Sequence, residues 1–545
     1  MNRLSRIEAA ERLTTANPWW RGAAIYQVYP RSYLDTNGDG IGDLPGVTAR
    51  LDHIATLGVD AIWLSPFFTS PMKDFGYDVA DYCDVDPIFG ALADFDALIA
   101  RAHALGIKVM IDQVYAHTSD LHAWFAESRT SRTNAKADWY VWANPKADGS
   151  PPCNWQSVFG GPAWTWDARR GQYYLHNFLS GQPQLNCHLG AVQEALLGVA
   201  RFWLDRGVDG FRLDALNFAM HDPAFTDNPP APDDGKARTR PFDFQQHRYN
   251  QSHAAIPAFI ERIRALADSY DAVFTMAEVG GDQALSEMQL YTAGDARLNS
   301  AYGFDFLYAD RLTPNLVAKA QGDWPDRAGV GWPSWAFENH DAPRAISRWC
   351  APQHREAFAR VKMLLLAALR GNIILYQGEE LGLDQIDIPF EQLQDPEAIA
   401  NWPLTLSRDG ARTPMPWTAQ DEHGGFSSAP PWLPLGATNL AQAADRQIAD
   451  PASLLNLTIR LLDLRRSNEA LRLGDFDLLH ADECTLAFRR GTPDQSVVAV
   501  FNLAAAAAIW PADLDGGGVL LVSVNGAAPG EMLPPFGALL VEESV

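Results

Sequence analysis

The sequence contains few cysteines, and their arrangement excludes two kinds of scaffold. Five cysteines occur in 545 residues, an odd number at scattered positions with no CxxC pair. Small secreted domains have dense cysteines in even number, and cysteine zinc sites have them at close, regular spacing. The sequence therefore predicts neither a disulfide framework nor a cysteine zinc site, and it favours a reducing compartment.

Long apolar runs and an excess of positive charge are also missing. No segment approaches the roughly 18 consecutive apolar residues of a transmembrane helix, and the N-terminal segment lacks the apolar core of a signal peptide. The formal net charge is −24 at pH 7, and a negative surface repels nucleic acids and anionic membranes. We therefore predict a cytoplasmic protein with no nucleic-acid partner and no membrane partner.

Apolar and aromatic residues, by contrast, are abundant. Hydrophobic residues make up 47% of the chain, which includes 18 Trp and 26 Phe. A chain of this length and composition can bury a large core. Flat aromatic rings also suit the apolar faces of sugar rings, and the negative charge suits a neutral substrate better than a phosphorylated one.

Apolar segments of β type alternate with amphipathic helical segments along most of the chain. Residues 91–105 are one example of the helical kind, with apolar residues at helical spacing. Strands of buried character that alternate with helices are typical of a closed parallel (β/α)8 barrel, an α/β fold. The predicted strands cover residues 23–30, 59–66, 106–114, 208–214, 272–278, 302–307, 334–337 and 372–376.

Three regions depart from this alternation. Residues 117–185, after the third strand, are rich in Trp, Asn, Gly and Pro, and they are too long for an ordinary loop. We predict an inserted irregular lid domain there, over the barrel mouth, and a second lid-like insertion at about residues 383–440. The barrel then comprises residues 1–116 and 186–470. Short β segments separated by turns predict a C-terminal antiparallel β-domain at residues 471–545.

Polar residues stand at the carboxyl ends of four predicted strands. In a (β/α)8 barrel these ends meet in one pocket, where the active site lies. Two of the residues are two positions apart on the fourth strand, and alternation puts them on one face. The residues are Asp112 and His117 after strand three, Arg212 and Asp214 on strand four, Glu278 on strand five, and His340 and Asp341 after strand seven.

Clustered carboxyl groups favour glycoside chemistry. Neighbouring carboxyls split their pKa values, so that one stays an anion while another keeps its proton near neutral pH. Glycoside cleavage needs an acid that protonates the leaving oxygen and a carboxylate that captures the sugar carbon. A divalent-metal hydrolase is the alternative, but it usually has His pairs spaced as HxH or HxxxH, and none occurs at these strand ends. For Arg212 and Asp214 taken alone, a structural ion pair is a further alternative.

A loop after the first strand has the spacing of a calcium-binding loop. Oxygen-bearing side chains stand at its first, third, fifth and ninth places, and Gly40 at the sixth place allows a sharp turn. The twelfth place is Gly46, so the bidentate Glu of an EF-hand is missing. We predict one structural divalent ion, Ca2+ or Mg2+, with an Asx-rich turn without metal as the alternative. The predicted ligands are Asp35, Asn37, Asp39, Ile41 and Asp43.

Eight segments of the sequence occur together, in the same order, in one enzyme family. The segments are Asp112–His117, Gly210–Asp214, Glu278–Gly280 and Phe337–Asp341, supported by Gly58–Pro66, Asp74–Asp78, Gln182–Asn186 and Gly378–Leu381. They resemble glycoside hydrolase family 13, the α-amylase family, and within it the α-glucosidase and oligo-1,6-glucosidase branch. The resemblance covers about residues 20–470 and implies a retaining glycosidase without an organic cofactor.

The resemblance implies a role for each matching residue. Asp214 would be the nucleophile, Glu278 the general acid/base and Asp341 the transition-state stabiliser. In the pocket for the terminal sugar, one tyrosine would stack under the ring, and an Asp74–Arg412 pair would close the far end. The residues implied in binding that sugar are Asp74, Tyr77, Asp112, His117, Arg212, His340 and Arg412.

The chain departs from the family pattern at two positions, and a third position bears on the glycosidic linkage that it prefers. Phe75 stands where the branch often has Asn, and Gln184 stands where the family more often has Asp. Ala215 directly follows the predicted nucleophile. In the family, Val at this place goes with α-1,6 linkages, and small residues or Thr go with α-1,4 linkages. Ala215 therefore predicts a preference for α-1,4-linked substrates.

We thus predict a retaining, exo-acting α-glucosidase that removes terminal, α-1,4-linked glucose from short α-glucosides such as maltose. An α-glucosyltransferase, a sucrose-cleaving enzyme or a trehalose-forming enzyme would use the same machinery and is the alternative. A catalytically silent transporter partner is a remote alternative, because such relatives lose catalytic carboxylates and have a membrane anchor. We predict a monomer or a homodimer.

Overall fold

Eight parallel strands close into a barrel in the computed structural model of this chain. The structure describes residues 18–544 apart from 234, 236–237, 325–330 and 405–406, so the N-terminal segment for which no signal peptide is predicted lies largely outside the described residues. Each strand pairs with the next along the chain, and the last pairs with the first, which confirms the (β/α)8 prediction. The strands are β1 Ala24–Val28, β2 Ala61–Leu64, β3 Lys108–Val114, β4 Gly210–Asp214, β5 Phe274–Glu278, β6 Ser300–Tyr302, β7 Trp332–Ala336 and β8 Asn372–Tyr376.

Side-chain alternation divides the barrel wall into two buried layers. One set, which includes Trp63, Met110 and Met276, packs inside the barrel. The alternate residues pack outward in the large core beneath the helices. The wall is tightly packed at Gly210, where a Cβ would lie 2.7 Å from the carbonyl oxygen of Phe274. This close approach fixes the strand that holds Arg212 and Asp214 against its neighbour.

Amphipathic helices cover the outside of the barrel. The helix before β4, for example, buries Leu196, Ala200 and Trp203 along one side, and Gly207 with φ 94° follows it in the turn to the strand. The helices of this layer are Leu44–Ala49, Leu51–Leu57, Leu92–Ala104, Gly190–Leu204, Ile256–Ala267, Ala284–Tyr291, Pro314–Gly322, Ala345–Trp349 and Arg355–Ala368.

Small sheets and short helices occupy the two predicted insertions. The insertion after β3 contains the helix Ala123–Ser128 and an antiparallel sheet of Trp142–Ala143, Gln172–Leu175 and Trp164–Asp167. A two-stranded sheet, Phe68–Thr69 with Asp81–Val85, follows β2. The insertion after β8 contains the short helices Pro396–Asn401 and Ala437–Ala441.

The C-terminal region forms the predicted antiparallel sheet. The helices Ala444–Ala449, Leu454–Ser467 and Glu469–Leu473 lead from the barrel into it. Its five strands stand in the order Asp475–Ala481, Thr485–Thr492, Gln495–Asn502, Ala538–Glu543, Val519–Val524. Within the described part of the chain, no helix has the length and apolar character needed to cross a membrane.

The sixth strand is shorter and earlier than the sequence pattern predicted. We expected residues 302–307, where aromatic residues alternate, but the strand is Ser300–Tyr302 and a turn follows. The aromatic residues there contribute to core packing instead. Phe306, for example, packs against Trp335 and Phe337, with ring-centroid distances of 5.5 and 5.0 Å. The correction matters for function, since it places Tyr302 at the end of a barrel strand, opposite Glu278.

Buried arginines tie the C-terminal sheet to the barrel. Arg490 is fully buried and donates hydrogen bonds to the backbone carbonyls of Ala368 and Gly474, both at 2.7 Å. Arg465 donates to further carbonyls near the C-terminus of the helix Arg355–Ala368. Carbonyls at this end of a helix lack intrahelical donors and favour a cation. The two arginines therefore satisfy groups that the domain contact would otherwise bury without partners.

Arg490→Leu is expected to lower the free energy of unfolding by about 2–4 kcal/mol, because two buried carbonyls lose their donors. Urea unfolding followed by circular dichroism measures the change. Arg489→Leu is the matched control: Arg489 is partly exposed and pairs with Glu543, so we expect less than about 1 kcal/mol. Equal losses in the two variants would contradict this account of the domain contact.

Candidate active site

Arg212 lies at the centre of the barrel mouth and contacts three carboxyl groups. Its terminal nitrogens are 2.6 Å from Asp112, 2.5 Å from Asp214 and 2.6 Å from Glu278. The Arg212 side chain is inaccessible to solvent. The strand register explains why Asp112 lies beside Arg212, since the two residues are directly opposite each other on β3 and β4. The predicted strand-end residues of three strands are thus assembled around one guanidinium group.

Two aromatic residues that the motifs did not predict complete the surroundings of Arg212. The guanidinium lies over the ring of Trp63, with 5.0 Å to the ring centroid, and it donates to the Tyr302 hydroxyl at 2.9 and 3.1 Å. The Trp63 indole N–H donates to Asp112 at 3.0 Å. A buried charge is tolerated when its hydrogen bonds are satisfied. These contacts therefore hold Arg212 in one orientation.

Burial raises the pKa values of the three carboxyl groups around Arg212. The pKa of Asp214 and that of Glu278 rise to about 7, and that of Asp112 rises to about 6. Desolvation of the anions is the main cause, and the positive charge of Arg212 opposes it. One guanidinium cannot balance three buried anions, so the cluster keeps a proton near neutral pH. The site can therefore hold a carboxylate and a carboxylic acid side by side.

Asp341 has a different electrostatic environment. Two arginines contact its Oδ1 atom, Arg412 at 2.6 Å and Arg408 at 3.1 Å, and His340 lies 3.2 Å from Oδ2. Burial alone would raise the pKa of Asp341, but these contacts hold it well below its usual range. Asp341 is therefore a permanent anion at the pocket, suited to face a developing positive charge.

A stack of two rings forms one wall of the pocket. Tyr77 lies parallel to His340, with 5.3 Å between the ring centroids and 7° between the planes. The Tyr77 hydroxyl is 2.6 Å from His340 Nε2 and 3.2 Å from Asp112. On the other side of the ring, His340 Nδ1 lies 2.8 Å from the Gln27 amide nitrogen. Burial lowers the pKa of His340 to about 3, so its ring is neutral near pH 7.

His117 has one nitrogen without a protein partner. Its Nε2 atom contacts the backbone carbonyl of Tyr77 at 3.0 Å, whereas its buried Nδ1 atom has no hydrogen-bond partner among the described residues. Burial lowers the pKa of His117 to about 4, so Nδ1 is an acceptor at neutral pH. Because this nitrogen is inaccessible to solvent, contact between His117 and the terminal sugar stays a prediction.

The far end of the pocket differs from the prediction in one contact. Asp74 forms its ion pair with Arg408, at 3.2 Å, and not with Arg412, which pairs with Asp341. Arg408 belongs to the second insertion and is held there by Asp395 at 2.8 Å. No motif indicated Arg408, because its two partners in the pocket, Asp341 and Asp74, lie 67 and 334 positions away in the chain. Both arginines are therefore site residues.

Ala215 and Gln184 connect the nucleophile strand to its surroundings. Ala215 has φ 38° and ψ 45°, a left-handed conformation that turns the chain away from β4, and its N–H lies 3.3 Å from Glu278 Oε2. Gln184 accepts from Asn177 at 3.0 Å and donates to the Phe218 carbonyl at 2.7 Å. A carboxylate at position 184 could not make this second bond, so the departure from the family pattern has a structural reason.

The loop predicted to bind a metal is held by its own side chains. Asp35, Asn37 and Asp39 each accept a hydrogen bond from the N–H two residues later, at 3.0, 2.9 and 2.8 Å. Asp43 caps the following helix through the Gly46 N–H at 2.6 Å. Within the described ranges, no group of three His, Cys, Asp or Glu side chains is arranged to hold a metal ion. Asx oxygens nevertheless are the ligands that Ca2+ prefers, so the ion stays a prediction.

A closed (β/α)8 barrel whose strand ends present an acid, a neighbouring carboxylate and a separate permanent anion defines the active site of a glycoside hydrolase. A family model for the alpha-amylase catalytic domain matches residues 27–474. The chain therefore belongs to the α-amylase family, glycoside hydrolase family 13.

Several relatives and solved structures are similar to this chain along nearly its whole length. A probable alpha-glucosidase of Rhizobium meliloti (strain 1021) is 52% identical over 90% of each chain. An oligo-1,6-glucosidase of Heyndrickxia coagulans is 35% identical over 89% of this chain and 92% of its own. The crystal structure of an alpha-glucosyl transfer enzyme, XgtA, is 48% identical and superposes with a TM-score of 0.91 over 96% of this chain and 99% of its own.

Arg408→Met is expected to lower kcat/KM for maltose at least about 10-fold, because the Asp341 anion and Asp74 both lose a cation. The control is Arg240→Met, which removes an arginine paired with Glu397 and Asp243 and should change kcat/KM less than about 3-fold. Steady-state kinetics on both variants makes the comparison. A full-activity Arg408→Met variant would remove Arg408 from the site.

Proposed function

We propose that this glycoside hydrolase is a retaining, exo-acting α-glucosidase that releases terminal, α-1,4-linked glucose from short α-glucosides such as maltose. The observation that supports the chemistry best is the sharing of Arg212 by Asp214 and Glu278, at 2.5 and 2.6 Å. Because both carboxyls bind one guanidinium, they lie close together. Retaining enzymes use a short separation of about 5–5.5 Å, against about 6.5–9.5 Å for inverting ones.

The proposed reaction has two displacements at the anomeric carbon. First, an Asp214 carboxylate oxygen bonds to this carbon while its bond to the glycosidic oxygen breaks, and Glu278 gives its proton to that departing oxygen. Then Glu278 takes a proton from water, and the water oxygen bonds to the carbon and displaces Asp214. Asp341 stabilises the positive charge that develops on the sugar in both steps. Glu278 ends with its proton restored, and the α configuration is retained.

The two insertions support action at chain ends. Asn401 of the second insertion donates to the Phe159 carbonyl of the first at 3.4 Å, and the Arg408 guanidinium lies 5.1 Å from the Phe159 ring centroid. These contacts join the insertions beyond the Asp74–Arg408 pair. These contacts support a pocket that is closed at this side, which would hold one terminal sugar and exclude a longer chain.

Transfer of glucose to an acceptor hydroxyl is a second candidate activity, favoured by the similarity to an alpha-glucosyl transfer enzyme. In that case an alcohol oxygen replaces water in the second displacement, and no other residue is needed. Product analysis with maltose, isomaltose, sucrose and trehalose, each with and without an added alcohol, separates hydrolysis from transfer. The cytoplasmic location and the monomeric or homodimeric state stay predictions.

The nucleophile assignment predicts the first product and the effect of one substitution. The glucose released from the non-reducing end should be the α anomer, because two inversions retain the configuration. Asp214→Asn should lose several orders of magnitude in turnover, since no covalent intermediate can form. An NMR time course with an aryl α-glucoside reads the anomer of the released glucose before mutarotation, because this substrate, unlike maltose, releases no second glucose of mixed anomeric form. Early β-glucose would contradict the retaining mechanism.

The proposed divalent ion would be structural, bound by Asp35, Asn37, Asp39, the Ile41 carbonyl and Asp43. Its loop contributes no carboxylate to the Arg212 cluster, so a chelator should lower the melting temperature and leave low-temperature kinetics nearly unchanged. Calorimetry with and without chelator, followed by calcium or magnesium addition, tests this. Complete loss of activity in a still-folded protein would instead place a metal in the chemistry.

Ala215→Val should depress maltose hydrolysis more than isomaltose hydrolysis, by about 1–3 kcal/mol in the ratio of kcat/KM values. A branched side chain would narrow the space for the second sugar, and the extra rotatable bond of an α-1,6 linkage can avoid it. Val is also strained at φ 38°, but this cost is common to both substrates and cancels in the ratio. Equal losses on maltose and isomaltose would show that residue 215 does not determine the linkage preference.

A further inference from the structure

Tyr302 is a buried residue at the site to which no motif assigned a function. It is the last residue of β6, is directly opposite Glu278 in the sheet register and is 1% exposed. Its hydroxyl oxygen lies 3.1 Å from Arg212 Nε, 2.9 Å from Arg212 Nη2 and 3.1 Å from Glu278 Oε1. The hydroxyl therefore bridges the central cation and the predicted general acid/base.

The direction of each hydrogen bond at this hydroxyl is fixed. Arginine has donors and no acceptor, so both Arg212 N–H groups donate to the Tyr302 oxygen. The single hydroxyl proton must then be donated to Glu278 Oε1. No rotation of the hydroxyl improves this pattern, because its two lone pairs and its proton are all used.

This arrangement distinguishes the two oxygens of Glu278. Oε1 accepts from the Tyr302 hydroxyl and also lies 2.6 Å from Arg212 Nη2. Oε2 has the Ala215 N–H at 3.3 Å, a long contact. A proton on Oε1 would be repelled by the Arg212 cation and would compete with the hydrogen bond from the Tyr302 hydroxyl. The proton of the carboxylic acid is therefore held on Oε2.

We propose that Tyr302 is a positioning residue for the general acid/base: its hydroxyl orients Glu278 and places the transferable proton on Oε2. The inference rests on the proposed role of Glu278 in glycoside cleavage. The hydroxyl makes no hydrogen bond to Asp214 or Asp341, so its one direct contact with a predicted catalytic carboxyl is with Glu278, and its other partner is Arg212. The other charged or titratable groups that face Glu278 include Arg212, Asp112, Asp214, Asp341 and Tyr308.

The decisive experiment compares two substrates that differ in their need for an acid. The leaving group of maltose is a hydroxyl oxygen of the second glucose, which must be protonated as it departs. α-Glucosyl fluoride releases fluoride without a proton. Tyr302→Phe should lower kcat/KM for maltose by about 10–100-fold, a part of the usual general-acid contribution. The same variant should lower kcat/KM for the fluoride less than about 3-fold, because this parameter reports steps up to the first displacement.

The pH profile gives a readout that a purely structural role would not move. The Tyr302 hydroxyl donates to the carboxylate and so favours its anionic form. Its removal should raise the pKa of Glu278 and move the basic limb of the kcat/KM profile for maltose to higher pH. An unchanged basic limb together with equal losses on maltose and the fluoride would overturn the proposal.

Three further variants test whether the effect depends on the Tyr302 hydroxyl and on Glu278. Tyr26→Phe is the matched control, because the buried Tyr26 hydroxyl also binds a carboxylate, Glu380 at 2.8 Å, outside the catalytic cluster; it should change neither the substrate ratio nor the pH limb. In a Glu278→Gln background, Tyr302→Phe should add less than about 3-fold. Tyr302→Met supplies a second replacement without a hydroxyl.

Folding and the parent activity are measured alongside. Failure of both Tyr302→Phe and Tyr302→Met to fold, judged by circular dichroism, would overturn the proposal and assign Tyr302 to the core. A wild-type enzyme that does not cleave maltose would instead contradict the proposed function, so the two failures are distinguishable.

Discussion

One buried cation organises this active site. Arg212 contacts Asp112, Asp214 and Glu278 within 2.6 Å, and a single positive charge cannot neutralise three carboxylates. The protonation state of the cluster follows from this excess of carboxyl groups over cations. The cluster retains a proton near neutral pH, and the barrel strands fix which groups can share it. An acid and a nucleophile of similar intrinsic acidity thus coexist a few ångströms apart.

Burial of these carboxyl groups also lowers the stability of the folded protein. The pKa of Asp214 and that of Glu278 rise to about 7 in the fold, above the values near 4 of unfolded chains. Between those values the folded state binds more protons, so the stability linked to these groups is present at low pH and is lost as the pH rises through about 7. The large apolar core of the barrel offsets this cost.

Much of the fold and of the site could be predicted from residue patterns. Seven of the eight strands lie within the predicted segments or extend them by two residues, because β segments of buried character have a local signature. The sixth strand was predicted too late in the chain, because the alternating aromatic residues after Tyr302 belong to a turn. Likewise, Asp112, Arg212, Asp214, Glu278 and Asp341 could be found because a barrel brings strand ends together wherever they stand in the chain.

The sequence by itself determined the architecture and the types of catalytic group, since both depend on short-range patterns. The tertiary structure decided which groups touch. Arg408 became the partner of Asp74 because the second insertion folds over the pocket, and Tyr302 met Glu278 through the register of two strands. Such contacts join residues 24 to 334 positions apart. Their geometry depends on the packing of whole elements, and no local pattern encodes it.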